Sequence, residues 1–303
     1  MSFRQKLLNF ACRQIGRRQL LRTTEPEKGR RSFARLARYM FRTPPYSLYL
    51  PTKLKAQNLT VPALWISSGQ VSRRRLVFYI HGGGFIVGSP WTHKRMLASL
   101  SRLTGIRVCA PQYRLSPEHQ YPDALNDVRA AYQVLLDRGF APDQIILGGD
   151  SAGGNLVFSL LADLCAQGLA PRAVFAFSPW TDLSLTGKSL EENANLDVLL
   201  PAERIEELRD MYLGNADPKD VNVSPLFAKY PDCPPVFLQA SATEILRDDT
   251  LRLAENLNSQ GAKVSCEIWQ DLPHVWQVFD GWLPESRKAM KSAARFISHS
   301  FTL

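Results

Sequence analysis

Three short stretches of this chain carry residue types whose spacing can do chemistry. The first is Gly149-Asp150-Ser151-Ala152-Gly153-Gly154, which follows the apolar run Gln144–Leu147 and opens an apolar, helix-patterned segment. A G-x-S-x-G between a strand and a helix is a nucleophile elbow. Its glycines stand where the turn has no room for side chains, and the serine is lifted above the sheet at a helix N-terminus, where backbone N–H groups favour negative charge. The second stretch is His81-Gly82-Gly83-Gly84-Phe85, directly after the strand-like Leu76–Ile80. Its glycines let the backbone approach a substrate closely. Gly82 and Gly83, with Ala152 after the nucleophile, are the expected N–H donors to an oxyanion. His81 reads as an anchor for the loop rather than a base. The alternatives are a glycine-rich turn with no catalytic task or a phosphate-binding loop, and the absence of a P-loop or dinucleotide fingerprint weakens the latter.

The third stretch supplies a base. Of the five histidines, His274 lies in Asp271-Leu272-Pro273-His274-Val275-Trp276, just past the strand-like Val264–Trp269. A loop at a strand end can bring an imidazole to the top of a sheet. Its place after Ser151 also fits the chain order serine, acid, histidine.

These residues need a frame to position them. From about residue 55 onward, short β-like runs alternate with longer helical ones. Strands are expected at 54–59, 63–67, 75–80, 107–110, 144–147, 173–177, 236–239 and 264–269. Helices are expected at 124–138, 155–166, 247–259 and 286–300. This alternation predicts an α/β fold with a mostly parallel sheet covered on both faces. The polar stretch 183–228, with a helical run at 202–212, breaks the rhythm and reads as an insertion over the strand ends, where open α/β sheets bind ligands.

Composition narrows the classes further. The 303 residues are 45% hydrophobic and 21% charged, as expected of a globular chain. No apolar run approaches the length of a membrane span, and the first one, residues 7–12, is too short for a signal peptide. A cytoplasmic location is the expectation. The five scattered cysteines form no CxxC pair, so neither a disulfide framework nor a zinc site is expected. The net charge of +9 is uneven: residues 1–55 hold fourteen Lys or Arg against Glu25 and Glu27, while the other 248 residues are close to neutral. Phe3, Leu7, Phe10 and Ile15 recur at helical spacing in this basic segment. It reads as a solvated lid helix with an arginine-rich face, or as a peripheral contact for an anionic membrane. No nucleic-acid-binding pattern accompanies it.

Taken together, the motifs resemble the hormone-sensitive-lipase group of α/β-hydrolase esterases over nearly all of residues 60–300. The likeness rests on HGGGF at 81–85, Tyr113-Arg114-Leu115-Ser116-Pro117-Glu118 followed by Tyr121-Pro122 and Asp127, and GDSAGGN at 149–155. It continues through Ser178-Pro179-Trp180, Glu244–Asp249 and Leu272-Pro273-His274. The resemblance implies the α/β-hydrolase fold, hydrolysis of short- to medium-chain carboxylic esters, and no cofactor or metal. It implies a helical cap built from residues 1–53 and 183–228 upon a catalytic domain at 54–303. It places the triad acid at Glu244, where the family commonly has Asp, with Asp248 as the alternative; Asp248 and Asp249 otherwise read as helix-capping carboxylates. Arg114 and Glu118 read as structural. Lactone, amide or acetylated-metabolite hydrolysis by the same triad stays open, as does a catalytically idle ligand receptor. Phe3, Phe10, Tyr39, Phe41, Tyr46 and Tyr49 suggest an aromatic lid, while each taken singly reads as ordinary core packing, and an edge strand offers a route to a homodimer.

Overall fold

A computed structural model describes residues 2–22, 24–40 and 44–302, the side chains of Tyr39 and Met40 excepted. Phe41 and the side chain of Tyr39, both expected in an aromatic lid, therefore lie outside the described residues.

The centre is an eight-stranded sheet in the order β1-β2-β4-β3-β5-β6-β7-β8. The strands are β1 (Ser47–Lys55), β2 (Thr60–Ser68), β3 (Ser72–Ile80), β4 (Ile106–Pro111), β5 (Ile145–Asp150), β6 (Ala173–Phe177), β7 (Val236–Ser241) and β8 (Val264–Trp269). Only β2 runs against its neighbours; β4, β3, β5, β6, β7 and β8 are parallel. The helices are α1 (Phe3–Ala11), α2 (Arg18–Arg22), α3 (Pro26–Met40), α4 (Pro90–Thr104), α5 (Asp123–Asp137), α6 (Ser151–Ala166), α7 (Ser189–Glu192), α8 (Ile205–Leu213), α9 (Arg247–Ser259) and α10 (Pro284–Ser300). A π-helical turn, Cys12–Arg17, joins α1 to α2.

β3 illustrates why the central strands read as continuous apolar runs. Successive side chains point to opposite faces, and both faces are covered. Leu76, Phe78 and Ile80 pack into the cluster containing α5, α6 and α9, while Val77 and Tyr79 pack with Met96, Leu97, Met290 and Ala293 of α4 and α10. A third cluster joins Leu8 and Cys12 to Val198, Leu272, Trp276, Phe279 and Leu283. It seats the N-terminal helices on the insertion and on the His274 loop.

Two expectations are corrected at the N-terminal edge. The first strand runs over 47–55, not 54–59, and a tight turn closed by Ala56 N–H to Leu59 C=O (2.8 Å) leads into β2. The sheet thus begins inside the segment expected to be cap. The helix α4, absent from the sequence reading, is delimited by local chemistry: Ser89 and Thr92 form a capping box, Pro90 occupies the first turn, and left-handed Gly105 closes it. No helix among the described residues is long and apolar enough to cross a membrane. Cys12, Cys109 and Cys165 are buried, and all five cysteines are free thiols.

Candidate active site

The elbow forms because β5 ends at Asp150 in extended conformation and α6 begins on the next residue. Ser151 joins them at φ 52°, a left-handed conformation that costs a side-chain-bearing residue energy and is kept only where its surroundings enforce it. Close packing enforces it. A Cβ at Gly153 would sit 2.2 Å from the carbonyl oxygen of Ile80 and 2.4 Å from that of His81, and one at Gly149 would lie 2.8 Å from Gly153 O. Glycine at both positions lets α6 lie directly against the end of β3.

Asp150 ties this elbow to the glycine loop. Its carboxylate accepts from Tyr79 Oη (2.8 Å) and from the Gly82 N–H (3.1 Å), and faces His93 Nε2 at 3.3 Å. Burial disfavours its charge, but His93, Tyr79 and His81 outweigh that and hold its pKa below the ordinary carboxylate value. This network engages one of the N–H groups expected at the oxyanion. The Gly82 N–H, assigned to the oxyanion, is spent on Asp150. The N–H groups of Gly83 and Gly84 have no acceptor among the described residues, and Gly83 turns its carbonyl to the N–H groups of Ile86 and Val87. The first N–H groups of α6, Ala152 included, have no partner four residues back within the helix.

His81 is fully buried and stacked on Tyr113 at 4.4 Å, with Nδ1 against Gly82 O at 2.9 Å. Burial, with His93 beside it, pushes its pKa down to about 3. It stays neutral and anchors the loop.

The His274 loop leaves β8 through left-handed Asp271 (φ 55°) and returns through Val275 (φ 50°), a β-branched residue held in a costly conformation. Between them His274 is buried, with Nδ1 2.7 Å from Glu244 Oε2. The other Glu244 oxygen accepts the Ser241 N–H at 2.8 Å, which fixes the carboxylate's orientation. His274 Nε2 has no hydrogen-bond partner among the described residues. Burial works against the imidazolium, but the Glu244 hydrogen bond and the charges of Glu244, Asp197 and Asp150 prevail, so the His274 pKa rises above its ordinary value.

Asp248, the alternative acid, faces elsewhere: it accepts from Ser189 N–H and pairs with Arg247. Asp249 accepts from the N–H groups of Thr181 and Asp182, and burial raises its pKa to about 8. Both carboxylates tether the segment after β6 rather than merely capping α9. Arg114 holds Asp127 and Asp123, and Glu118 holds Arg30.

Several residues around the site had no distinct signal in the sequence. From the insertion, Asn193 donates to the carbonyls of Ala242 and Glu244, and Asp197 accepts from Ile245 N–H at 3.0 Å. From α1, Gln5 and Asn9 donate to the Asp271 carbonyl. Arg17 reaches the carbonyls of Ala194, Asp197 and Leu200. Leu208 of α8 lies over Gly84, and Phe85 stacks on Tyr212 at 3.7 Å. Phe3, Phe10 and Tyr46, expected in an aromatic lid, face solvent instead. Tyr49 is half-buried beside Trp91 and Lys94, at the β1 edge. A separate open cleft of about 670 Å³ runs between β8 and α10; it is lined by Glu267, Trp269, Lys288, Lys291 and Arg295 and by none of the site residues.

Comparison with known proteins agrees with this fold. Residues 77–278 match the family model described as the alpha/beta hydrolase fold. An esterase of Acinetobacter venetianus is 37% identical over 229 residues, 75% of this chain and 76% of its own. An acetyl-hydrolase of Streptomyces hygroscopicus is 34% identical over 236 residues, 78% of this chain and 79% of its own. The crystal structure of an esterase from the bacterial hormone-sensitive lipase family aligns with a TM-score of 0.92 at 32% identity, covering 99% of each chain.

Proposed function

Because the chain belongs to the α/β-hydrolase family, in its hormone-sensitive-lipase branch, and is a serine ester hydrolase, we propose that it cleaves short- to medium-chain carboxylic esters through a Ser151–His274–Glu244 triad. The observation that carries this reading is the 2.7 Å Glu244–His274 pair, which leaves the second imidazole nitrogen unpartnered among the described residues; the strand-to-helix elbow that holds Ser151 at φ 52° supports the nucleophile.

Ser151 Oγ attacks the ester carbonyl while His274 Nε2 takes its proton. Glu244 fixes the tautomer with the proton on Nδ1 and stabilises the imidazolium. The tetrahedral oxyanion is bound by the N–H groups of Gly83, Gly84 and Ala152, with Gly84 replacing Gly82, whose N–H serves Asp150. His274 then protonates the leaving alcohol. Water, deprotonated by the same imidazole, attacks the acyl-enzyme, and collapse of the second tetrahedral intermediate releases the acid and free Ser151.

The N-terminal helices and the insertion form the cap, joined by the Arg17 and Arg204 contacts. Leu208 of the insertion approaches Gly84 of the oxyanion loop, which supports a preference for small acyl groups. The likeness to an acetyl-hydrolase supports a second reading within the same chemistry, removal of acetyl groups.

The test is hydrolysis of p-nitrophenyl esters from acetate to decanoate, beside Ser151→Ala. A rate that vanishes in the folded variant and peaks at short chains supports the reading. Undiminished hydrolysis by Ser151→Ala overturns the nucleophile, and a maximum at decanoate overturns the narrow acyl site.

A further inference from the structure

The helix α1 is apolar on two opposite sides. Gln5, Leu8, Asn9 and Cys12 face inward: Leu8 and Cys12 pack with Leu272 and Trp276, while Gln5 and Asn9 bond to the Asp271 carbonyl. At about 100° per residue, Phe3, Leu7 and Phe10 fall on the opposite side. They are 81%, 48% and 64% exposed. A helix lying on a protein surface ordinarily presents polar residues outward, so the regular apolar spacing of this segment belongs to the wrong face for a lid that merely covers the site.

Two further exposed side chains flank the stripe. Arg4 of α1 reaches the carbonyl of Trp282 (41% exposed), and Arg13 reaches that of Leu196 (51% exposed). The patch therefore draws on three separate segments brought together by the fold. The helical segment that carries the stripe has charge of one sign: residues 2–22 contain six Lys or Arg and no Asp or Glu. Arg17 is answered by Glu203, whereas Arg4, Lys6, Arg13, Arg18 and Arg22 are exposed.

We propose that the outer face of α1, with Trp282 and Leu196 at its margins, is a docking surface for an anionic lipid bilayer. Phe, Leu and Trp side chains enter the headgroup–acyl boundary while the surrounding Lys and Arg meet lipid phosphates. A second copy of this chain is a poorer occupant, because a two-fold contact through the same face would bring the cations of both copies together. The inner side of α1 rests on the His274 loop, so docking seats the catalytic end of the molecule at the membrane. The docking surface does not depend on the esterase reading: Ser151→Ala protein should bind vesicles as wild type does.

The experiment is vesicle flotation of the full chain with phosphatidylcholine alone and with about one third phosphatidylglycerol. Wild type is expected on the anionic vesicles and to dissociate as salt is raised from about 0.05 to 0.5 M. Phe3→Ser/Phe10→Ser and Lys6→Gln/Arg18→Gln/Arg22→Gln should each weaken binding about tenfold or more. Both should retain wild-type turnover of p-nitrophenyl butyrate, which reports an intact fold. Absence of wild-type binding to anionic vesicles overturns the proposal. So does binding equal to that on neutral vesicles, or binding unchanged in either variant. A wild-type dimer that becomes monomeric in Phe3→Ser/Phe10→Ser also overturns it and makes this face a self-interface.

Discussion

The elbow and the N-terminal cover lie on the same end of the molecule but are held by different physics. The elbow is held by shape. Ser151 at φ 52°, Gly149 and Gly153 where any Cβ would run into neighbouring backbone, and the direct passage from β5 to α6 leave one conformation. The cover is held by reach. Gln5, Asn9, Arg13 and Arg17 span long distances in sequence to donate into carbonyls of the 270–271 and 194–200 loops. Shape is decided within a few consecutive residues; reach is decided only when distant segments meet. The two regions should therefore fail differently when altered.

The sharpest break is chemical. Ser151→Ala should lower kcat on p-nitrophenyl butyrate by about 10⁴- to 10⁶-fold, leaving the contribution of oxyanion binding, with an unchanged circular dichroism spectrum. Glu244→Gln comes next, at about 10³- to 10⁴-fold, while Asp248→Asn should stay close to wild type. Equal losses in the two would remove Glu244 from the triad. The pH profile refines this test. The base must be neutral to act, so kcat/KM falls as pH drops through the His274 pKa. That pKa is raised by Glu244 against the effect of burial, so the acid limb should lie above the ordinary histidine range and move to lower pH in Glu244→Gln. An acid limb that does not move would sink the assignment.

Gly153→Ala probes shape alone. Its methyl group would meet two carbonyl oxygens of β3 and the loop after it, so unfolding in urea should show a loss of about 3 kcal/mol or more. Arg17→Gln probes reach. Losing three carbonyl contacts and the Glu203 pair should cost about 1–3 kcal/mol, and loosening Asp197 should lower kcat/KM only severalfold. A larger loss than that of Gly153→Ala would invert the comparison. The smallest effect is expected at Lys28→Gln, whose exposed pair with Glu25 should leave the melting temperature unchanged.

The same contrast explains what was legible in advance. The elbow, the glycine loop and the parallel strands are local patterns, and β6, β8 and α9 fall where periodicity and turn residues put them. Nothing in the sequence signals that the Gly82 N–H, expected at the oxyanion, meets Asp150, 68 residues away. A glycine triplet reveals an open backbone but not which N–H a tertiary partner will consume. The outward placement of Phe3 and Phe10 was missed for a related reason. Helical spacing identifies a stripe, whereas which stripe meets the core depends on the surface waiting for it, here Leu272 and Trp276.

The order of residue types along this chain was thus enough to determine the α/β alternation and to single out Ser151 and His274 as the candidate nucleophile and base, because each depends on backbone geometry within one turn. Tertiary structure alone decided that Glu244 rather than Asp248 meets His274, that Gly84 is free where Gly82 is not, and that the N-terminal cations are partly consumed on carbonyls. Those outcomes depend on pairings across tens to hundreds of residues, and no local pattern encodes the distance between segments that only folding brings together.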